Sequence, residues 1–305
     1  VETLDNVDGL IVGNSSVVVA DDIDNSGGQW VSYGDLQLDS VVINNTGGRF
    51  EMNGTGDFDG DITNTNGFIY SASDLALDWV DNTSGIIMAG SDITIESSDT
   101  FFNVNGELVS TQGGIQINAN TLDNEGGQIV ASQNIRMGQL TDAWVDGLVF
   151  AMDTVFVTAN SAVVNGSIFG NEGVAVVTQS DDDDSMVINS GALVASNGTT
   201  MVTANGGIHN FGLLFADHHL GIYSNTSINN YNQFLSFGTM DIVLDSSGDS
   251  INNYQGNIQS MGDLMISGPE FNNESFIDTE IKKYNTSVSV KQLHKASGNK
   301  LNKLK

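Results

Sequence analysis

Ile23-Asp24-Asn25-Ser26-Gly27-Gly28-Gln29-Trp30-Val31-Ser32-Tyr33-Gly34-Asp35-Leu36-Gln37-Leu38 is the stretch whose reading decides the fold. Apolar and polar residues alternate over short segments, with Asn and Gly between them. Alternation is the period of a strand, whereas an amphipathic helix needs apolar residues three and four apart. The same order returns at Leu122-Asp123-Asn124-Glu125-Gly126-Gly127-Gln128-Ile129-Val130-Ala131-Ser132-Gln133-Asn134-Ile135-Arg136-Met137. The shared template is apolar-x-Asn, a small or Gly turn, apolar-x-small, a second turn, then apolar-x-apolar. Its anchors are Asn6, Asn25, Asn45, Asn64, Asn82, Asn103, Asn124, a degenerate Asp146, Asn165, Asn189, Asn210, Asn230, Asn253 and Asn273, spaced 18 to 24 residues apart. A fixed period in this range marks a solenoid.

One such unit cannot bury its own apolar face, so neighbouring units must stack. The predicted fold is all-β, a single right-handed parallel β-helix of about fourteen coils, the hand following from the chirality of parallel crossovers. Ile23, Trp30, Ser32, Leu36 and Leu38 should point inward, as should Leu122, Ile129, Ala131, Ile135 and Met137. The Asn serves a corner, since it tolerates left-handed backbone and bonds local main chain. Stacked coil on coil, the amides of Asn25, Asn45, Asn64, Asn82, Asn103, Asn124, Asn165, Asn189, Asn210, Asn230, Asn253 and Asn273 should also bond one another as a ladder.

Composition narrows the class of function. The chain has 305 residues, no Cys, one Pro and 35 Gly. A continuous β-helix core needs no disulfides, and Pro is scarce where most residues sit in a hydrogen-bonded wall. There is no apolar run long enough for a membrane span. Val1 falls in mid-pattern with no signal peptide, which predicts an internal fragment of something longer. Seven of the nine Lys and Arg lie after residue 281, while residues 1–281 hold all 38 acidic residues with only Arg49 and Arg136, a net of −36. Phosphate contacts need Lys and Arg, so nucleic acid is excluded as a partner, and an anionic bilayer is equally unsuited. Self-repulsion keeps an edge-rich protein soluble and monomeric.

The pattern defines three regions. Residues 1–140 are the regular coils. Residues 141–279 are diverged coils, with Asp146 in place of an anchor, a lengthened turn at Asp181-Asp182-Asp183-Asp184 and shorter corners after Asn210 and Asn230. Residues 280–305 are a basic linker or the start of a further module. In the diverged coils, alternation counted back from each small residue turns Leu148, Phe150, Val194, Leu213, Phe215, Leu235 and Phe237 outward. Stacking would join them in an apolar stripe, and contiguous exposed apolar surface marks a contact site. The alternative is a covered wall or a register displaced by one residue, which would make these side chains core.

No chemistry emerges from the remaining motifs. Asp57-Phe58-Asp59-Gly60-Asp61 fails the calcium-loop spacing, because Ile62 sits where Gly is required and Phe68 where the bidentate Glu belongs. Asp181 to Asp184 read as a solvated acidic turn. Adjacent strand residues face opposite ways, so His218 and His219 cannot share one ion, even with His209 nearby. No nucleophile, metal site or cofactor site is predicted. A β-helix lyase needs a cationic base, which two arginines hardly supply, and a glycosidase needs two facing carboxylates, which so acidic a chain would offer by chance.

The unit at residues 23–38, and again Ile251-Asn252-Asn253-Tyr254-Gln255-Gly256-Asn257-Ile258-Gln259-Ser260-Met261-Gly262-Asp263-Leu264-Met265-Ile266, resembles the repeats of filamentous haemagglutinins, the large exoproteins of bacterial two-partner secretion. The likeness covers roughly residues 1–279. Regular coils, a diverged stretch and then a break at Asn272-Asn273-Glu274-Ser275-Phe276 are also similar to the contact-dependent growth inhibition effectors, the CdiA group. In these a repeat filament leads to a receptor-binding region, with a toxin far downstream. The resemblance implies a non-enzymatic segment of a cell-surface filament from a Gram-negative bacterium, exported by an outer-membrane secretion partner. It further implies an outer-membrane protein or surface glycan on another cell as partner, bound for adhesion or toxin delivery. No secretion domain, pretoxin motif or toxin is present. The alternative is a carbohydrate-binding or depolymerising β-helix of tailspike or lyase type.

Overall fold

A computed structural model describes residues 1–245 and 249–274, and the basic segment 280–305 lies outside them. Among the described residues every element is a β-strand and every assigned pairing is parallel. The chain divides into two compact units, Val1–Val157 and one beginning at Thr158. Each is a parallel β-solenoid.

In the first unit each coil lays strands along three walls, as Asp22–Asp24, Gln29–Ser32 and Leu36–Asn44 do. The third strand can run on into the first strand of the next coil. Thus Leu36–Asn44 pairs with Ser16–Val19 and Asp22–Asp24 on one side and with Gly56–Thr63 on the other. Alternation sends every second side chain inward. On the second wall Trp30, Phe50, Ile69, Ile87, Leu108, Ile129 and Val149 share one register line. Each is at most 2% exposed. Burying one such side chain contributes about 1.5–3 kcal/mol, and every coil repeats the gain.

The small residue two places on has a physical role. Ser32 Oγ donates to the Asp35 carbonyl and Ser71 Oγ to the Asp74 carbonyl, both at 2.9 Å, closing the second corner. Met52 breaks the small-residue rule, and Gly56 makes room for it. A Cβ at Gly56 would lie 2.6 Å from Met52 Sδ. Volume added in one column is thus removed from its neighbour, as a close-packed interior requires.

The first corner carries the amide ladder. Asn6 Nδ2 donates to Asn25 Oδ1 at 2.6 Å, and the same bond continues through Asn45, Asn64, Asn82, Asn103 and Asn124 at 2.7–2.8 Å. The residue two after each Asn takes a left-handed backbone, from φ 50° at Asp8 to 64° at Gly27. The residue three after is glycine for a different reason. A Cβ at Gly48, Gly67, Gly85, Gly106 or Gly127 would come within 2.0–2.3 Å of the carbonyl of the preceding coil's Asn. Beyond Asn124 the slot changes. The pairing of Asp123 with Trp144 sets Val145 opposite Asn124, and Val145 is buried. Asp146, the degenerate anchor, lies one residue past it and is exposed.

In the second unit Val164, Ile188, Asn210, Asn230, Asn253 and Asn273 share the corresponding register line. The first two rungs are buried apolar residues, and an amide ladder at 2.7–2.8 Å occupies the last four. Asn165 and Asn189, expected in the buried ladder, are displaced from it by one residue. They bond each other outside the core, Asn189 Nδ2 donating to Asn165 Oδ1. A slip of one residue transfers a side chain to the opposite face, and an apolar rung beside an apolar rung leaves no buried amide unpaired.

Among the described residues the second wall has eight strands in the first unit, and that of the second unit has five. The fourteenth anchor, Asn273, lies in Glu270–Glu274, at the end of the described residues.

Candidate functional site

The second wall of the second unit turns a run of large apolar side chains outward. Its strands Ser167–Gly170, Leu193–Ser196, Leu213–Ala216, Gln233–Ser236 and Asn257–Ser260 pair in order. Their inward line is Ile168, Val194, Leu214, Phe234 and Ile258. Pleating therefore places two lines outside, Leu193, Leu213 and Gln233 on one and Phe169, Ala195, Phe215 and Leu235 on the other. Leu213, Phe215 and Leu235 are half-buried, flanked by their neighbours along the line. Phe237 follows at the second corner, 51% exposed, and meets Phe215 edge to face with centroids 5.2 Å apart.

Val194 was expected on this outer face, and the structure reverses it. It is fully buried between Ile168 and Leu214. The sequence offers two small residues in tandem, Ala195 and Ser196, and alternation counted from Ala195 gives the wrong face. Ser196 pairs with Gly170 and Ala216 and sets the register. Ala195 is the outward residue, only 2% exposed, in line with Phe169 and Phe215. Phe150 and Leu148 belong to the first unit, where both point outward from Leu148–Ala151 and are half-buried.

A second aromatic group went unnoticed in the sequence. Phe211 and Tyr231 stack at 4.5 Å with 8° between their planes, and Tyr231 and Tyr254 stack at 5.2 Å and 26°. Burial raises the pKa of the Tyr231 phenol, and the neighbouring Tyr254 raises it further. The signal was available, since each of the three residues directly follows an anchor Asn. Leu213, at the head of its second-wall strand, lies two residues after Phe211 and two before Phe215. Residues 158–274 contain 12 acidic side chains and no Lys or Arg. Asp217 adjoins Ala216 at the end of the Leu213–Ala216 strand, within 3.7 Å of its neighbour His218.

The histidines are spread apart. His209 Nε2 lies 3.3 Å from Asp184 Oδ1, while His219 Nδ1 bonds Thr239 Oγ1 at 2.8 Å. On the opposite face of these strands from the core ladder, Asn272 donates to Asn252 and Asn252 to Asn229 at 3.0 and 2.9 Å, a second ladder announced by the doublets Asn229-Asn230, Asn252-Asn253 and Asn272-Asn273. Among the described residues no group of three or more His, Asp or Glu is placed to hold a metal ion. None of their elements is a helix long and apolar enough to cross a membrane. What the arrangement offers chemically is surface: half-buried apolar rows and stacked aromatic rings set in a field of carboxylates. Comparison with family models, with curated proteins and with solved structures returned no match.

Proposed function

We propose that this chain is a non-enzymatic segment of a secreted cell-surface filament, of the haemagglutinin type found in two-partner secretion. In this reading the first unit provides reach and the second recognises a receptor on another cell, in adhesion or contact-dependent toxin delivery. The observation that carries it is the outward apolar group Leu213, Phe215 and Leu235 on paired strands of the second wall, with Phe237 at the corner beyond. Half-exposed aromatic residues anchor protein interfaces, because burying them releases much apolar area at little entropic cost. The receptor would be a protein with a basic loop. A surface of uniform negative charge speeds encounter with such a loop and repels acidic competitors.

The test is binding of the purified chain to target cells. Phe215→Asp and Phe237→Asp should each weaken it at least tenfold, because a carboxylate cannot be desolvated cheaply against an apolar partner. Unchanged binding by both variants would remove this face as the site. Reproducible depolymerisation of an acidic or neutral glycan by the same preparation would instead favour a carbohydrate-processing β-helix.

A further inference from the structure

Among the described residues the aromatic stack beside the apolar rows ends in a recess. Phe211, Tyr231 and Tyr254 each follow the ladder Asn of their own coil, and the next residue in that line is Glu274, which pairs with Tyr254 in register. The fourth rung is thus a carboxylate where a fourth ring would continue the stack. The corner also changes here. Three residues lead from Asn210 to Leu213 and from Asn230 to Gln233, whereas four lead from Asn253 to Asn257. The added residue is Gln255, held at φ 61° with its N–H donating to the Glu274 carbonyl at 2.9 Å. Left-handed backbone at a non-Gly residue persists only where its surroundings enforce it. The widened corner bounds a recess of about 460 Å³, lined by Tyr231, Tyr254, Gln255 and Glu274.

We propose that this recess binds a guanidinium group, an arginine side chain of a basic partner segment. Among the described residues the lining presents aromatic π-systems, a carboxylate and an amide oxygen, and no cationic side chain. A guanidinium is the group that uses all three. It stacks on an aromatic ring, pairs with a carboxylate through two parallel N–H bonds and still has donors for an amide. An anion would meet Glu274 unscreened, and a neutral group would leave that carboxylate unpaired. An ammonium pairs as a point charge, without the planar fork, so lysine should bind less well. The proposal deepens the adhesive reading by naming the partner's chemistry, and it rests on that reading only for what presents the arginine.

The experiment titrates the purified chain with the peptide acetyl-Gly-Arg-Gly-amide and follows the ring signals of Tyr231 and Tyr254 by NMR. Lysine and citrulline peptides serve as controls, citrulline having the shape of arginine without its charge. Saturable shifts centred on Tyr254 are expected, with citrulline at least tenfold weaker and lysine several-fold weaker. Glu274→Gln, which leaves the ring stack intact, should weaken arginine binding about tenfold and abolish the preference over citrulline. Tyr254→Phe should bind as the parent does, while Tyr254→Leu should not. Equal shifts with arginine and citrulline, or an unchanged affinity in Glu274→Gln, would overturn the proposal. The titration involves no cells, so it can fail while the Phe215 and Phe237 variants still lose cell binding, and the reverse outcome is equally visible.

Discussion

Seven asparagines in an unbroken run fill the corner slot of the first unit before Val145 takes it, whereas the second unit opens with Val164 and Ile188 and only then resumes with Asn210. Both fillings are buried, and both satisfy their neighbours. An amide between amides has its donor and acceptor met, and an apolar side chain between apolar side chains has none to meet. The costly arrangement is the boundary between them, where a buried polar group loses a partner. At one such boundary Asn124 Nδ2 retains the bond to the Gly127 carbonyl at 3.3 Å that Asn103 likewise makes to Gly106, and at the other Asn210 accepts from the Gly212 N–H at 3.2 Å. What the comparison teaches is that the repeat is enforced by runs rather than by single residues.

The largest expected effect therefore lies within the unbroken run. Asn64→Ala strands the Asn45 amide hydrogen and the Asn82 carbonyl oxygen in the core, and should destabilise the first unit by about 3–4 kcal/mol. Asn189→Ala, outside the core of the second unit, should cost less than about 0.5 kcal/mol. Hydrogen exchange would localise the two losses, and equal effects would mean that burial of the ladder does not matter.

Next comes the corner glycine. Gly48→Ala drives a Cβ to 2.1 Å from the Asn25 carbonyl, a backbone atom that cannot swing aside. A loss of about 3 kcal/mol is expected, comparable to overpacking a rigid core. At Gly191 in the second unit nothing lies within 4 Å of the added Cβ, and only the backbone φ of 88° opposes it. That substitution should cost about 1 kcal/mol. Thermal melts of the two variants check the ranking.

The smallest effect is a pH dependence confined to the first unit. Burial, then the hydrogen bond and charge of Asp59, raise the Asp78 carboxyl from 3.8 to about 6. Its folded-state pKa exceeds its unfolded value, so the stabilising contribution is full below about pH 4 and is lost as pH rises through 6. Asp78→Asn removes the charge. Its melting temperature should match the parent near pH 4 and exceed it above pH 6, with the difference growing between. A difference independent of pH would contradict this.

Much of the fold was legible in the sequence because the interior is one-dimensional. Each coil repeats the same inward positions, so the line from Trp30 to Val149 could be read from alternation alone. The Asn ladder was legible for the same reason wherever the anchor Asn itself holds the slot, including Asn210 and Asn230 with their shorter corners. It failed at Asn165 and Asn189, where Asn is present but Val164 and Ile188 hold the slot. Residue type cannot report a displacement of one position when both candidates lie side by side. Val194 failed in the same way, with Ala195 and Ser196 competing for the small position. Of the candidate face, Leu213, Phe215, Leu235 and Phe237 followed from alternation, since each strand there has one small residue to count from. The stack of Phe211, Tyr231 and Tyr254 sits in a corner, where strand periodicity carries no information.

The most direct measurement compares one substitution at corresponding outward positions of the second wall in each unit. These are Val109 and Val130 in the first unit and Phe215 and Leu235 in the second. Purified chains carrying Val109→Asp with Val130→Asp, or Phe215→Asp with Leu235→Asp, would be titrated onto target cells after circular dichroism confirms that both remain folded. Loss of binding by at least tenfold in the second pair alone is the expected result. Equal binding by the two, whether retained or lost, would contradict a recognition face confined to the unit that begins at Thr158.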